Sequence, residues 1–152
     1  MRGTRLRKYV LDTNCFIDAS RNPEFRDAFD AFCAEAAPGL YLSSVVGAEL
    51  RAGAGRGGAL LEREVLAPYA RRQRILTPSA QSWHSLGTAL ATLTSRDGLV
   101  LANTRRSFVF DILIAHSCRE AGATLVSANT RDMTRIAKVF AFEFVAPFPT
   151  FE

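Results

Sequence analysis

Short apolar runs alternate with stretches of helical periodicity along most of the chain, and the first run ends directly on an aspartate. Residues 8–12 (KYVLD) read as a buried strand that turns into a helix carrying Phe16 and Ile17. Phe25, Phe29 and Phe32 recur at i, i+4 and i+7, one apolar helical stripe that Pro38 and Gly39 terminate. Residues 40–43 predict a second strand, and Ser43 or Ser44 can cap the helix through Glu49. After the glycines at 53, 55, 57 and 58, a helix is expected over 60–70, a short strand near 74–76, and a helix opened by Pro78 and Ser79. A loop at 96–107, a helix at 108–121, a strand at 123–126, a helix at 132–139 and a last strand at 140–145 complete the pattern. Strands separated by helices predict an α/β chain with an open, mainly parallel sheet covered on both faces.

Length and composition narrow the options. One domain over residues 1–152 with a basic tail at 1–7 is the default for a chain of 152 residues, which can bury a core without disulfide or zinc. Cys15, Cys33 and Cys118 are odd in number and contain no CxxC pair, which fits a reducing compartment. The longest uncharged run, between Arg74 and Arg96, is too polar for a bilayer core, and the apolar stretch before Asp12 is too short for a signal peptide. A soluble, cytoplasmic protein is therefore expected. Arg2, Arg5, Arg7 and Lys8 stand together, leaving 15 basic against 15 acidic residues in the rest of the chain. Seventeen of the 19 basic residues are Arg, the side chain whose planar fork suits phosphate.

The informative acids sit where strands end or helices begin. Asp12 closes the first strand, Asp111 opens the segment FDILIA, and Asp132 follows the strand ATLVS. In an open parallel sheet, ligand sites form beyond the carboxyl ends of the strands, where distant residues converge. Glu49, on the helix after the second strand, can join them. Four carboxylates in one crevice repel each other unless a cation neutralises them. Oxygen donors without His or Cys select Mg²⁺ or Mn²⁺ over zinc, and such an ion supports phosphodiester hydrolysis. Each acid also has a plainer reading: Asp12, Asp111 and Asp132 can cap the helices that follow, and Glu49 can be a surface charge. His84 and His116 are expected in surface or core roles, and Cys15 as a small apolar filler.

The segments YVLDTNCFID, SSVVGAELRAG and FDILIAHSCREAGATLVSANTRDM resemble the PIN-domain ribonucleases, most closely the VapC-type toxins of bacterial toxin–antitoxin modules. The resemblance runs from about Tyr9 to Pro147. It implies a PIN-like, Rossmann-like α/β/α sandwich with a sheet of four to five strands. It also implies a Mg²⁺-dependent endoribonuclease with Asp12, Glu49, Asp111 and Asp132 as the acidic quartet, Asp12 and Asp111 being direct metal ligands. Thr13 and Asn14 correspond to the residues that support the first acid. Ser127 stands where the family often has Thr, and Asn129 shares its loop. Met133 replaces the Phe usual after the last acid, and the family varies in which residue of this loop supplies the fourth carboxylate.

Arg51, Arg105 and Arg106 are candidate RNA-phosphate contacts, Arg105 and Arg106 because they precede Asp111; Arg56, Arg71, Arg72 and Arg74 are further basic residues of the same kind. The resemblance further implies a homodimer or toxin–antitoxin hetero-oligomer, with a VapB-type antitoxin covering the site and binding operator DNA. The helix of Phe25 and Phe29 and the one near Leu60 and Leu61 are expected to contribute to its groove. Two other readings stay open: a catalytically silent PIN-type module that binds RNA or protein, and a phosphatase using Asp12 as a phosphoryl acceptor. The second wants an acid two residues on, where this chain has Asn14.

Overall fold

In the computed structural model, which describes residues 6–151, five strands form one sheet in the order β3-β2-β1-β4-β5. Arg2 and Arg5 of the basic tail lie outside the described residues. The strands are β1 (Lys8–Leu11), β2 (Leu40–Ser43), β3 (Ile75–Leu76), β4 (Ala123–Val126) and β5 (Phe144–Val145), and every pairing is parallel. The helices are α1 (Thr13–Arg21), α2 (Pro23–Ala36), α3 (Ser44–Gly53), α4 (Gly58–Leu61), α5 (Ala67–Arg71), α6 (Ala80–Asp97), α7 (Arg106–Ala121) and α8 (Thr130–Ala137). This is the expected α/β/α sandwich.

The two faces of the sheet follow from the strand period of two. Val10 and Leu125 point to one side and pack with Leu86, Ala89 and Leu93 of α6 and Ile112 to Ala115 of α7. Tyr9, Leu11, Leu40 and Val126 point to the other, against Cys15 of α1 and Phe32 and Ala36 of α2. Gly39 enters β2 so close to the Arg7 carbonyl that a methyl group would collide with it. From β1 the connections run outward to β2 and β3, then return to place β4 on the other side of β1. The reversal lies between the carboxyl ends of β1 and β4, where an open α/β sheet leaves a crevice.

Four boundaries differ from the sequence pattern. The helix expected over 60–70 is interrupted by a π turn at Glu62–Leu66 between α4 and α5. Pro68 has no N–H to give the Glu64 carbonyl, so regular α geometry cannot pass through it. The last strand is shorter than 140–145: Phe140 N–H still reaches back to the Ile136 carbonyl, and only Glu143 and Val145 accept from β4 and its extension. α7 starts at Arg106, so Asp111 lies within the helix rather than at its opening. α8 starts at Thr130, which puts Asp132 in its first turn.

Candidate active site

Asp12 is the residue on which the crevice is built. It leaves β1 buried, its backbone N–H donates to the Val126 carbonyl at 2.9 Å, and it becomes the N-cap of α1 by accepting Thr13 N–H at 2.8 Å. The capping role is thus real, but it engages only Oδ1. Oδ2 accepts from Ser127 Oγ at 2.7 Å and from Asn14 Nδ2 at 3.2 Å. Asn14 also donates to Ser127 Oγ at 3.1 Å and accepts Ala128 N–H at 3.0 Å. Ser127 is buried at the end of β4 and accepts Asn129 N–H at 3.1 Å, which uses its full hydroxyl capacity. Both lone pairs of Oδ2 are engaged, which leaves Oδ1 as the oxygen with a free lone pair. Burial still holds the Asp12 carboxyl above its ordinary range, against the pull of Ser127, Thr13 and Asn14.

Glu49 is half-buried on α3 and accepts the Thr13 hydroxyl at 2.9 Å, so it is not a surface charge. Burial raises its pKa; the Thr13 bond opposes the shift and the Asp12 charge adds to it. Asp132 takes Asn129 Nδ2 at 2.8 Å and lies 3.4 Å from the Arg105 guanidinium. The expected supporting residues Thr13, Asn14, Ser127 and Asn129 therefore each touch one of the acids.

Asp111 is different. It is 7% exposed on α7 and accepts no side-chain or backbone donor outside its own helix among the described residues. Its carboxyl is pushed up to about 8, first by burial and then by the charges of Asp12, Glu49 and Asp132, with Arg105 opposing weakly. That set of neighbours puts the charges of Asp12, Glu49 and Asp132 within electrostatic reach of Asp111. Among the described residues no three His, Cys, Asp or Glu side chains are already gathered closely enough to hold a metal ion, so the four acids stand apart in this structure. The donors, all hard oxygens, suit Mg²⁺ or Mn²⁺. Asp111, with no hydrogen bond to break, is free to turn toward such an ion.

Other candidates fall elsewhere. Arg51 is exposed and paired with Glu62, and Arg106 is exposed at the start of α7 without an ion pair among the described residues; only Arg105 reaches an acid of the crevice. His116 is buried, its Nδ1 2.9 Å from Ser82 Oγ and 3.2 Å from Glu120, a tie between α6 and α7. His84 is exposed. Cys15 is fully buried and its thiol is pushed up to about 12 by burial and by Asp12, which keeps it a protonated filler. The basic residues Arg131, Arg135 and Lys138 beside Asp132 were not singled out by the sequence pattern, although their spacing at i, i+4 and i+7 marks one helix face.

A parallel α/β/α sandwich with four carboxylates at the carboxyl edge of its sheet defines a class of acidic-crevice proteins suited to phosphodiester chemistry. A family model of the PIN domain matches residues 9–139, and the chain belongs to the PIN-domain family, a family of nucleases that includes the toxins of toxin–antitoxin modules. Among solved structures, the chain is similar to VapBC2 from Rickettsia felis bound to a DNA fragment from its promoter. The identity is 25% over 91% of this chain and 97% of that one, with a TM-score of 0.65. FitAcB from Neisseria gonorrhoeae shares the fold at 21% identity and a TM-score of 0.66, over 91% of this chain and 97% of its own. DNA-bound VapBC from Salmonella typhimurium does so at 23% identity and a TM-score of 0.64, over 93% and 99%. No curated protein sequence matches. No helix among the described residues is long and apolar enough to cross a membrane.

Proposed function

We propose that this protein is the VapC-type toxin of a type II toxin–antitoxin module, an endoribonuclease that hydrolyses RNA phosphodiester bonds with Mg²⁺, or Mn²⁺ in its place. The observation that carries the reading is the acidic cluster around Asp111: a mostly buried carboxyl with no donor of its own lies in the field of Asp12, Glu49 and Asp132, and a cation bound there would relieve the repulsion. Asp12 and Asp111 would hold the ion, with Glu49 and Asp132 assisting. When bound, Mg²⁺ lowers the pKa of a water and offsets charge on the departing oxygen. The chain's own residues prepare that chemistry. Ser127, Asn14 and the Thr13 amide lock the direction of Asp12, Thr13 Oγ1 orients Glu49, and Asn129 with Arg105 holds Asp132 at the rim. Neither His84 nor His116 is needed as a base.

The partner would be a VapB-type antitoxin, with assembly into dimers or hetero-oligomers. A cleft of about 260 Å³ between α2 and the π turn with α5 offers it a seat: Phe16, Phe29, Val65 and Tyr69 are among its apolar walls, with Arg26, Arg72 and Arg74 at its rim. Phe29 is among its lining residues and Phe25, Leu60 and Leu61 are not.

Purified protein free of antitoxin, incubated with total RNA, should cleave it with Mg²⁺ and not without. Asp111→Asn should lower the rate by at least about 10²-fold, the size of effect expected when a group that stabilises transition-state charge is lost. Equal cleavage by both proteins would contradict the metal-site reading. Co-expression with the adjacent small open reading frame should relieve growth arrest by the toxin, and unaffected growth on inducing the toxin alone would count against the toxin role.

A further inference from the structure

An open cleft beside Asp132 has a basic wall that the chemistry above does not use. It measures about 940 Å³; Arg131, Arg135 and Lys138 stand along it, Arg105 faces them, Asp132 and Asn129 form its inner end, and Asp97 sits on its rim. A second cleft of about 320 Å³ shares Arg105, Asp132 and Arg135, so the two join into one trough. Its cations are available: among the described residues Arg131, Arg135 and Lys138 form no ion pair, and Arg105 touches only Asp132. Arg135 is also held in place, because its guanidinium lies over the ring of buried Phe108, 5.0 Å from the centroid. Such stacking reduces the rotamer entropy lost when a phosphate is bound.

We propose that this stripe is the phosphate track of the substrate: Arg131, Arg135 and Lys138 grip consecutive backbone phosphates of a single RNA strand and deliver the neighbouring phosphodiester to Asp132 and Asp111. The inference rests on the ribonuclease reading and assigns its substrate path. From residue 131 to 138 a helix rises about 10.5 Å, so the three cations are spread along a length that a short single-stranded segment can follow. Apart from Phe108, which is covered by Arg135, no aromatic side chain lines the trough, so the track recognises backbone and not base. Arg131, Arg135 and Lys138 are positioning residues; the reacting atoms belong to the acids.

The test is fluorescence anisotropy of a labelled single-stranded oligoribonucleotide in Mg²⁺, titrated at several KCl concentrations. The full chain carries Asp111→Asn to prevent cleavage. Adding Arg131→Gln, Arg135→Gln and Lys138→Gln should weaken binding by at least about tenfold and lower the slope of log K against log[salt] by about 2, since each phosphate contact on a single strand contributes ~0.7. A control of equal charge change, Arg21→Gln, Arg63→Gln and Arg119→Gln, should leave the slope within about 0.3 of the parent. Should the triple variant melt early, Lys138→Gln alone, at an exposed site, should lower the slope by ~0.7. Equal slopes for track and control variants overturn the track, as does unchanged RNA binding with lost antitoxin binding, which would assign the stripe to a protein partner. A lowered slope in a chain whose wild type cleaves no RNA would support the track while removing the ribonuclease reading.

Discussion

Asp12 and Asp111 enter one crevice from different elements, the end of β1 and the second turn of α7, and the means that hold them differ. Asp12 is surrounded by donors: a backbone amide, a serine hydroxyl and an asparagine amide fix both of its oxygens. Asp111 is surrounded by acids, with only the distant Arg105 in its favour. On the proposed reading, one ligand is oriented in advance by donors and the other would depend on a cation. Asp12 gives the site its direction, and Asp111 its affinity for positive charge.

The widest separation between the two should appear in the pH dependence of the metal-free protein. Asp111, Asp12 and Glu49 all have folded-state pKa values above their ordinary ones, so the folded state binds protons more tightly than the unfolded chain. Their contribution to stability is therefore complete below about pH 4 and is lost as pH rises toward about 8, the value for Asp111. Exposed Glu62 and Glu120, whose values are lowered, act in the opposite sense but are screened by solvent. Thermal melts in EDTA should show Tm falling over that interval by several degrees, an effect on the order of a few kcal/mol. Asp111→Asn should flatten most of the fall, and an equally steep fall in that variant would place the frustration elsewhere.

A smaller effect is expected on the donor-rich side. Ser127→Ala removes the 2.7 Å bond to Asp12 and leaves a buried carboxylate oxygen with one donor fewer, at a cost of roughly 1–3 kcal/mol. Urea unfolding should register it, and cleavage should fall more steeply than stability because Asp12 loses its fixed direction. Ser127→Thr, which keeps the hydroxyl, should recover most of the activity. Smallest of all is Thr13→Val. It frees half-buried Glu49 from its 2.9 Å bond and should cost about 0.5–1.5 kcal/mol with only a several-fold drop in rate, measured on the same RNA. A larger loss than for Ser127→Ala would reverse the ranking of the two sides.

Asp12 was legible in the sequence because a charge directly after an apolar strand has few places to go. The two faces of the sheet were legible for the same kind of reason: Tyr9, Val10 and Leu11 are all apolar, which only a strand covered on both sides tolerates. The setting of Asp111 was hidden. Phe108, Val109 and Phe110 continue the helix upstream in a pattern that blurs its start, so a residue in the second turn looked like an opening one. The bond from Ser127 to Asp12 spans 115 residues, and no local spacing encodes it; only the parallel pairing of β1 with β4 brings the two together. In the basic face of α8 only Arg131 fell outside the expected helix, which begins two residues earlier than its apolar pattern suggests.

The contrast between a prepared ligand and a frustrated one is tested most directly by the Mg²⁺ dependence of Tm at pH 8, in wild type and Asp111→Asn, at matched ionic strength. Mg²⁺ should stabilise the wild type by an amount that grows with concentration, about 2.7 kcal/mol at a hundredfold excess over its Kd. Asp111→Asn should start from a higher metal-free Tm and gain little. Equal gains in both proteins, or none in either, would contradict the proposal that a cation binds beside Asp111.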